Sequence, residues 1–289
     1  MIWLTGNKGM LGHEVADALV SSAIPFIGTD REVDITDYVA VADFTEYHQP
    51  DIIINCAAYT AVDKAEDERD KAFSLNGIGP KNLAAISAIL NARLTHISTD
   101  YVFNGKSRLP LDEDAPTDPV SIYGQSKNDG ENAIRKSGCR YDIIRTAWLY
   151  GQYGPNFVST MLRLMNKNDS LRVVDDQMGS PTRAGDLARF IVFITGQPLR
   201  DSGIFHFSNE GETTWYGFAQ AIYQNARKRG LINHDVDIQP CPSSEYPTRA
   251  VRPSYSLLSK RKISEIFKWK VPGWETSLSE YLDKAGVEK

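Results

Sequence analysis

Short apolar runs alternate with longer segments of helical spacing along much of the chain. Five apolar, β-rich runs predict strands at residues 1–5, 24–28, 51–55, 94–98 and 141–146. Helical spacing predicts helices at residues 13–20, 38–48, 72–90, 157–165 and 214–229. Strands that alternate with helices in this way form a parallel sheet with helical crossovers, so we expect an α/β protein.

Three glycines stand where the first predicted strand meets the first predicted helix. Gly6, Gly9 and Gly12 permit a tight turn, a close approach to a pyrophosphate and close packing of helix on strand. The helix N-terminus also presents free N–H groups to an anion. The spacing is G-x-x-G-x-x-G, and a purely structural turn is the alternative. We predict a dinucleotide site here, with contacts from Gly6, Lys8, Gly9, Met10, Leu11 and Gly12.

Charged residues follow the second predicted strand. Asp30 stands where a carboxylate would meet the adenosine ribose of a dinucleotide, which favours the 2′-hydroxyl of NAD. Arg31 would instead neutralise the 2′-phosphate of NADP, so the sequence leaves the choice of cofactor open. Asp34 and Ile35 are predicted at the edge of the adenine pocket. The alternative for Asp30 is an ordinary polar turn residue.

Small and hydroxyl-bearing side chains follow the third and fourth predicted strands. Ligands of open parallel sheets bind outside the carboxyl ends of the strands. Ala57 and Ala58 would let a cofactor lie against the backbone, with Tyr59 beside them, and the Thr99 hydroxyl would hydrogen-bond a carbonyl oxygen. The alternative for Thr99 and Asp100 is a helix or turn cap.

A tyrosine and a lysine four residues apart are the main candidates for acid–base chemistry. At this spacing Tyr123 and Lys127 lie on one helix face, one turn apart. A positive charge near a phenol favours the phenolate and lowers its pKa. We therefore predict that Tyr123 exchanges a proton with substrate and that Lys127 lowers its pKa. A solvated helix face is the alternative that spacing alone leaves open.

Composition excludes several classes of protein. The chain has 289 residues, of which 42% are hydrophobic and 24% charged, and its net charge is −5. With no long Lys/Arg run, this argues against nucleic acid or an anionic membrane as the main partner. Cys56, Cys139 and Cys241 are far apart and indicate neither a disulfide framework nor a zinc site. No signal-peptide pattern or membrane-spanning run is recognised, so a cytoplasmic protein is expected.

The alternating pattern loosens after about residue 152. We predict a Rossmann-like doubly wound parallel sheet with a smaller C-terminal substrate-binding α/β domain. The NADP-binding domain is expected at residues 1–152 and about 171–207, and the discontinuous substrate-binding domain at about 153–170 and 208–289. The run 238–253 carries four prolines, and Arg252 within it is a candidate to bind a substrate pyrophosphate.

These motifs together resemble the extended short-chain dehydrogenase/reductases, and within them the dTDP-4-dehydrorhamnose reductase family. The glycine turn and Tyr-x-x-x-Lys are typical of the whole superfamily. The narrower resemblance depends on Trp148 and on the runs 61–66 and 246–253. The matching segments are residues 5–12, 55–66, 98–103, 123–127, 145–150, 176–182 and 246–253.

The resemblance implies a role for each matching residue. Tyr123 would protonate the alkoxide that forms at C4 of a sugar as hydride arrives from the nicotinamide. Lys127 would hold the nicotinamide ribose, and Thr99 would share the oxyanion. With Tyr123 and Lys127 added to the cofactor contacts, the predicted substrate contacts are Thr99, Asp100, Trp148, Asn156 and Arg252.

The implied reaction is NADPH-dependent reduction of the 4-keto group of dTDP-4-dehydro-6-deoxy-L-mannose, giving dTDP-L-rhamnose for surface polysaccharide, with NADH as a second possible cofactor. One alternative is a nucleotide-sugar epimerase or dehydratase of the same superfamily. Another is a non-catalytic regulatory subunit that keeps the dinucleotide fold, although Thr99, Tyr123 and Lys127 are intact.

The resemblance also bears on metal and assembly. Some members bind a divalent ion at a dimer contact through several carboxylates. Here Glu14 fits one such position, but Gly185 and Lys284 stand where the others would fall. We therefore expect no metal, and either a monomer or a homodimer.

Overall fold

Twelve strands, six of them in one central sheet, are found in the computed structural model, which describes residues 1–197 and 201–285. The predicted domains also include residues 198–200 and 286–289, which lie outside the described residues. The strands are β1 (Ile2–Thr5), β2 (Phe26–Thr29), β3 (Ile52–Asn55), β4 (Arg93–Thr99), β5 (Arg140–Thr146), β6 (Leu149–Tyr150), β7 (Ser170–Val174), β8 (Met178–Gly179), β9 (Thr182–Arg183), β10 (Gly203–His206), β11 (Thr213–Thr214) and β12 (Asp237–Cys241).

The central sheet is wholly parallel, and its strands lie in the order β2, β1, β3, β4, β5, β10. The predicted α/β class and Rossmann-like doubly wound sheet are confirmed. Each of the five predicted strands corresponds to one of the first five, with ends that differ by at most two residues. Strand β10, at the sheet edge, is not predicted by the pattern.

Eleven helices lie in the described residues. They are α1 (Met10–Ser21), α2 (Tyr38–His48), α3 (Val62–Ala65), α4 (Arg69–Phe73), α5 (Gly79–Leu90), α6 (Ile122–Lys136), α7 (Phe157–Met165), α8 (Ala184–Thr195), α9 (Trp215–Lys228), α10 (Arg261–Phe267) and α11 (Trp274–Ala285). The predicted bounds of α2 and α7 are confirmed. The single helix predicted at 72–90 is instead α4 and α5 joined by a π-helical turn, Ser74–Ile78. No described helix has both the length and the apolar character needed to cross a bilayer.

Helices cover both faces of the sheet. Along β1, Ile2 and Leu4 belong to one apolar cluster and Trp3 to another, because successive side chains of a strand point to opposite faces. Helices α1 and α8 contribute to the first cluster, and α2 and α5 to the second. The sheet is therefore buried on both sides, as parallel sheets generally are.

A third apolar cluster lies apart from the sheet. It is formed by α7, α9, α11 and the short strand pair β7–β12, with Val173 and Phe218 among its buried members. The predicted boundary near residue 171 separates most of β7 from these partners. Strand β9 pairs with β6, and α8 packs in the first apolar cluster, on one face of the central sheet. We therefore propose that the first unit, which contains the central sheet and is predicted to bind the dinucleotide, resumes near residue 182. The second unit contains α7, α9, α11, β7 and β12.

The chain order reverses direction between β1 and β3. From β1 the chain moves outward to β2, and then returns to β3 on the other side of β1. The loops after β1 and β3 diverge at such a point and leave a crevice outside the carboxyl ends of the strands. The glycine turn and the loop after Asn55 border this crevice.

Candidate active site

The glycine turn is packed too closely to accept side chains at two of its three glycines. Gly6 has φ +67°, and a Cβ there would lie 2.5 Å from the backbone nitrogen of Ala57. A Cβ at Gly12 would lie 2.1 Å from the Gly6 carbonyl oxygen. Gly9 begins α1 without a side-chain cap, and the first turn of α1 carries no acidic residue. The helix N-terminus is therefore suited to an anion such as a pyrophosphate.

A cavity of about 680 Å³ extends from this turn across the ends of β2 and β3. Arg31 is exposed, while Lys8 forms an exposed ion pair with Glu32 at 3.5 Å. Gly12 does not line the cavity but supports the turn from behind. Ten predicted cofactor contacts line it: Gly6, Lys8, Gly9, Asp30, Arg31, Asp34, Ile35, Ala57, Ala58 and Tyr59.

A second cavity, of about 420 Å³, brings together the three predicted catalytic residues, Thr99, Tyr123 and Lys127. It shares three lining residues with the first cavity, so the two form one continuous cleft. The shared residues are Gly9, Cys56 and Ala58. The other predicted ligand contacts on its wall are Met10, Leu11, Asp100 and Trp148. The N-terminus of α1, which suits an anion, lies between the two ends of this cleft. The cleft therefore fits an extended dinucleotide.

Tyr123 is buried on α6 and keeps its proton at neutral pH. Burial raises the pKa of its phenol to about 12, and hydrogen bonding with Thr99 offsets only part of that rise. The prediction that Lys127 lowers this pKa is therefore wrong for this structure. The lysine is one helical turn away, as its spacing predicts, but desolvation of the phenol dominates.

Lys127 points to the backbone of β4. Its Nζ donates to the Ile97 carbonyl oxygen at 2.5 Å and lies 3.4 Å from Nε2 of His96. Burial lowers the pKa of Lys127 to about 8, although the charges of Glu131 and Cys56 oppose that shift. The amine thus titrates close to neutral pH, although it lies on the wall of the catalytic cavity.

Thr99 connects the phenol to a buried carboxyl group. Its hydroxyl donates to Oδ1 of Asp100 at 3.0 Å and accepts the Tyr101 N–H at 3.2 Å. Thr99 also caps the 3₁₀ turn Asp100–Val102, so the capping alternative holds alongside its place in the cavity. Burial raises the pKa of Asp100 to about 6. Its Oδ2 has no hydrogen-bond partner among the described residues.

A third cavity, of about 420 Å³, lies on the side of the second unit. Trp215 lines it, and Trp148 lines the catalytic cavity; the two rings stack with centroids 3.6 Å apart. Trp148 has φ +49°, which is unusual for a bulky residue. A Cβ at Gly179 would lie 2.8 Å from the Trp148 ring, so this glycine makes room for the stack. The tryptophan pair therefore forms a wall between the two cavities.

Arg252 lines the third cavity and is also held by the first unit. It donates to Asp63 at 2.9 Å, and Arg249 forms a neighbouring ion pair with Asp67. Nε of Arg252 is buried and has no hydrogen-bond partner among the described residues. An anion in this cavity would therefore meet a cation that Asp63 already pairs with.

Asn156 is the one predicted substrate contact that lines none of these cavities. Its side chain caps α7 by accepting the Ser159 N–H at 3.0 Å, and it donates to the carbonyl oxygens of Gly151 and Gly154. Both ends of the amide are engaged in the local fold. Its substrate role stays a prediction without support from this arrangement.

Glu14, which fits one metal-ligand position of the family, lies beside Gly185 in this structure. A Cβ at Gly185 would be 3.0 Å from Glu14 Oε2, and Glu14 accepts the Gln152 N–H at 3.2 Å. Among residues 1–197 and 201–285, no group of three or more His, Cys, Asp or Glu side chains is arranged to hold a metal ion. The expectation of no metal stays a prediction.

Several lining residues were not singled out from the sequence. Tyr101 stands within the 98–103 motif, so a signal for it existed, and its ring meets that of Tyr123 edge-on at 5.5 Å. Gln177 lies within the 176–182 motif, so a signal for it also existed, whereas Trp215 lies in the predicted helix 214–229 with no feature that marks it as a ligand contact. Cys56 lies at the junction of the first two cavities.

The doubly wound sheet, the glycine turn at its switch point and the Tyr-x-x-x-Lys helix beside it define the short-chain dehydrogenase/reductase class. Residues 1–287 match the sequence model of one family, described as the RmlD substrate binding domain, and the chain belongs to that family.

Individual relatives agree with this placement. The chain is 43% identical over 290 residues to the dTDP-4-dehydrorhamnose reductase of Sinorhizobium fredii, covering 95% of this chain and 94% of that protein. It is 42% identical over 284 residues to the spore coat polysaccharide biosynthesis protein SpsK of Bacillus subtilis, covering 98% and 97%. The crystal structure of dTDP-4-dehydrorhamnose reductase from Bacillus anthracis in complex with NADP matches with a TM-score of 0.92 at 37% identity, covering 98% of each chain.

Proposed function

We propose that this protein reduces the 4-keto group of dTDP-4-dehydro-6-deoxy-L-mannose with NADPH, giving dTDP-L-rhamnose for surface polysaccharide. The observation that carries the proposal is the placement of Tyr123, Thr99 and Lys127 in one cavity continuous with the dinucleotide cleft. The names of the relatives and the NADP complex of one of them support the choice of substrate and cofactor.

The side chains divide the work of such a reduction. NADPH, bound along the cleft, would supply the hydride. Tyr123 is protonated at neutral pH and donates its proton to the C4 oxygen, which is the direction that a reduction requires. Thr99 lies beside the phenol, and its hydroxyl would turn from Oδ1 of Asp100 to donate to the same oxygen, while Lys127 would hold the nicotinamide ribose. Asp100 and Trp148 border the sugar.

The third cavity is proposed to hold the nucleotide end of the substrate. Its wall combines apolar rings such as Trp215 with the arginines Arg172 and Arg252, which suits a base next to a diphosphate. The stacked pair Trp148–Trp215 would then separate the sugar from the base. Asp63 neutralises Arg252 until a diphosphate competes for it.

Incubation with NADPH and a panel of nucleotide 4-keto sugars tests the proposal, with absorbance of the reduced cofactor as the readout. We expect oxidation of NADPH with the dTDP-6-deoxy-4-keto sugar, and a product in which C4 carries a hydroxyl group. Turnover of a nucleotide sugar without net cofactor oxidation would instead identify an epimerase or dehydratase. Cofactor binding without turnover of any sugar would identify the regulatory subunit.

The proposal includes a cytoplasmic location and a monomer or homodimer. Fractionation of the native cells checks the first, and sedimentation of the purified protein checks the second.

Arg31→Ala should shift cofactor preference towards NADH. The side chain is exposed at the mouth of the cavity that would hold the adenosine ribose, next to Asp30. Loss of a charge-assisted contact to a 2′-phosphate lowers kcat/KM for NADPH by about tenfold and leaves that for NADH almost unchanged. The measurement is kcat/KM for each cofactor. Arg135→Ala removes an exposed arginine that lines none of the three cavities and is the matched control. An unchanged NADPH-to-NADH ratio in Arg31→Ala would show that Arg31 does not contact the phosphate.

Arg252→Ala should raise KM for the dTDP-sugar by about tenfold with a smaller effect on kcat, because a phosphate contact far from C4 is mostly uniform binding. Steady-state kinetics with the sugar varied provide the measurement. Arg249→Ala is the matched control, since it breaks the neighbouring ion pair with Asp67 but lines no cavity described here. If KM for the sugar stays constant while the affinity for NADPH falls, Arg252 serves the cofactor instead.

A further inference from the structure

A buried chain of polar side chains joins the end of β1 to the catalytic lysine. The Thr5 hydroxyl donates to Oδ1 of Asn55 at 2.7 Å, and Nδ2 of Asn55 lies 3.0 Å from Nδ1 of His96. Nε2 of His96 then lies 3.4 Å from Nζ of Lys127. All four side chains belong to residues no more than 2% exposed. The reaction described above has no role for Asn55 or His96.

The backbone fixes the orientation of Asn55. The Ala57 N–H, which can only donate, points to Oδ1 of Asn55 at 3.0 Å, and the Thr5 hydroxyl meets the same oxygen. The amide NH₂ of Asn55 must therefore face His96 and donate to Nδ1. A neutral imidazole that accepts at Nδ1 carries its proton on Nε2. The ring is neutral, because burial and then the charge of Lys127 hold the pKa of His96 well below its usual range.

The Nε2–H of His96 thus faces an amine that is itself a donor. Two donors cannot form a hydrogen bond with each other. The N–H groups of Lys127 are left to the Ile97 carbonyl, which lies 2.5 Å away, and to the cavity that Lys127 lines. An accepting ring in the same place would take one of those N–H groups for itself.

We propose that His96 is a positioning residue for Lys127, held by Asn55 as the Nε2–H tautomer so that the lysine N–H groups are directed to Ile97 and to the cavity. The benefit to catalysis rests on the proposed function, in which Lys127 contacts the nicotinamide ribose. The tautomer and its effect on the lysine are properties of the protein alone.

The other groups around Lys127 do not account for the lowered pKa. Glu131, one turn further along α6, raises it and is itself paired with Arg145 at 2.7 Å. Cys56 also acts in the raising direction, and its own pKa is raised to about 12 by burial. The remaining neighbour on α6 is Tyr123, which is neutral at the same pH. Burial lowers the pKa of Lys127, and under this proposal the donor-to-donor contact with His96 acts in the same direction.

The first test is the tautomer in the unmodified protein. The chain has five histidines, so ¹⁵N spectra of histidine-labelled protein are simple, and loss of signals in His96→Gln assigns the ring of His96. We expect the pattern of a neutral Nε2–H imidazole at neutral pH. A Nδ1–H tautomer or an imidazolium would overturn the proposal, whatever the enzyme does with any sugar.

The second test reverses the tautomer. In Asn55→Asp the carboxylate only accepts, so Nδ1 of His96 must carry the proton and Nε2 becomes an acceptor for Lys127. The charged amine is then favoured, and its acid dissociation constant should fall about tenfold, or one pH unit. The readout is the pH midpoint of the Lys127 ¹³Cε shift. The alkaline limb of kcat/KM should move the same way.

Thr5→Val is the matched control for Asn55→Asp. It removes a hydrogen bond at the other end of the same buried chain, but the Ala57 N–H still orients Asn55. The tautomer and the lysine midpoint should therefore not change. A flipped tautomer in Asn55→Asp with an unmoved Lys127 midpoint would overturn the proposal. If Asn55→Asp does not fold, the spectrum of the unmodified protein still identifies the tautomer of His96. The proposed positioning of Lys127 depends on that tautomer.

Discussion

Replacement of Tyr123 by Phe lowers kcat by about 10²- to 10⁴-fold, the usual scale for one general acid. The substitution keeps the ring that packs edge-on against Tyr101 and removes only the hydroxyl group. Because burial keeps that hydroxyl protonated well above neutral pH, it is available as an acid throughout the working range. Single-turnover reduction of the 4-keto sugar, followed by NADPH absorbance, measures the loss.

Two measurements make this result specific. Affinity for NADPH should stay within a few-fold, because the contacts of the glycine turn are unchanged. A collapsed site would instead lose both turnover and NADPH binding. Tyr141→Phe, at the start of β5 and outside all three cavities, is the control for removal of a half-buried phenol. Near-normal turnover of Tyr123→Phe with intact cofactor binding would exclude Tyr123 from the chemistry.

The parts of this molecule that could be predicted are those determined by local sequence. Helix α2 begins after Asp37, whose side chain accepts two backbone N–H groups, and ends at Gln49 in the left-handed conformation. Both signals lie within a residue of the helix, so its bounds match. The glycine turn is similarly local, since a strand, a tight turn and a helix N-terminus follow one another directly.

The parts that could not be predicted depend on contacts between distant segments. Trp148 and Trp215 are 67 residues apart in sequence, and only the folded chain shows that their rings stack. Strand β7 pairs with β12 over a similar separation, which is why we propose a boundary near residue 182 instead of the predicted one near residue 171. The Tyr–Lys spacing gives the proximity of the two side chains but not the direction of the pKa shift. That direction depends on burial, which only the folded structure shows.

Asp100→Asn should stabilise the protein at pH 8 while it impairs turnover. Asp100 is 2% exposed, and burial disfavours its negative charge by more than the hydrogen bonds from Ser256, Thr99 and nearby backbone N–H groups stabilise it. Burial raises its pKa from the ordinary value of 3.8 to about 6. A difference of about two pH units between the folded and unfolded states corresponds to at most about 3 kcal/mol at pH above both values. An amide in the same place keeps the bond from Thr99 without the charge.

The sign of the pH dependence follows from which state binds the proton more tightly. The folded state does, so the carboxylate costs nothing below about pH 3.8, increasingly more between pH 3.8 and 6, and its full amount above that range. The advantage of Asp100→Asn in free energy of unfolding should therefore be largest at pH 8 and vanish near pH 4. Urea denaturation of both proteins at pH 4, 6 and 8 measures it.

Asp112→Asn is the control, because that carboxylate is 53% exposed and pairs with Arg261 only at 3.8 Å, so its removal should produce no such trend. A stability difference for Asp100→Asn that does not vary with pH would mean that the carboxylate is already compensated in the folded protein. If the difference does vary, and kcat/KM falls in the same variant, then this buried charge is retained at the expense of stability because the catalytic cavity requires it.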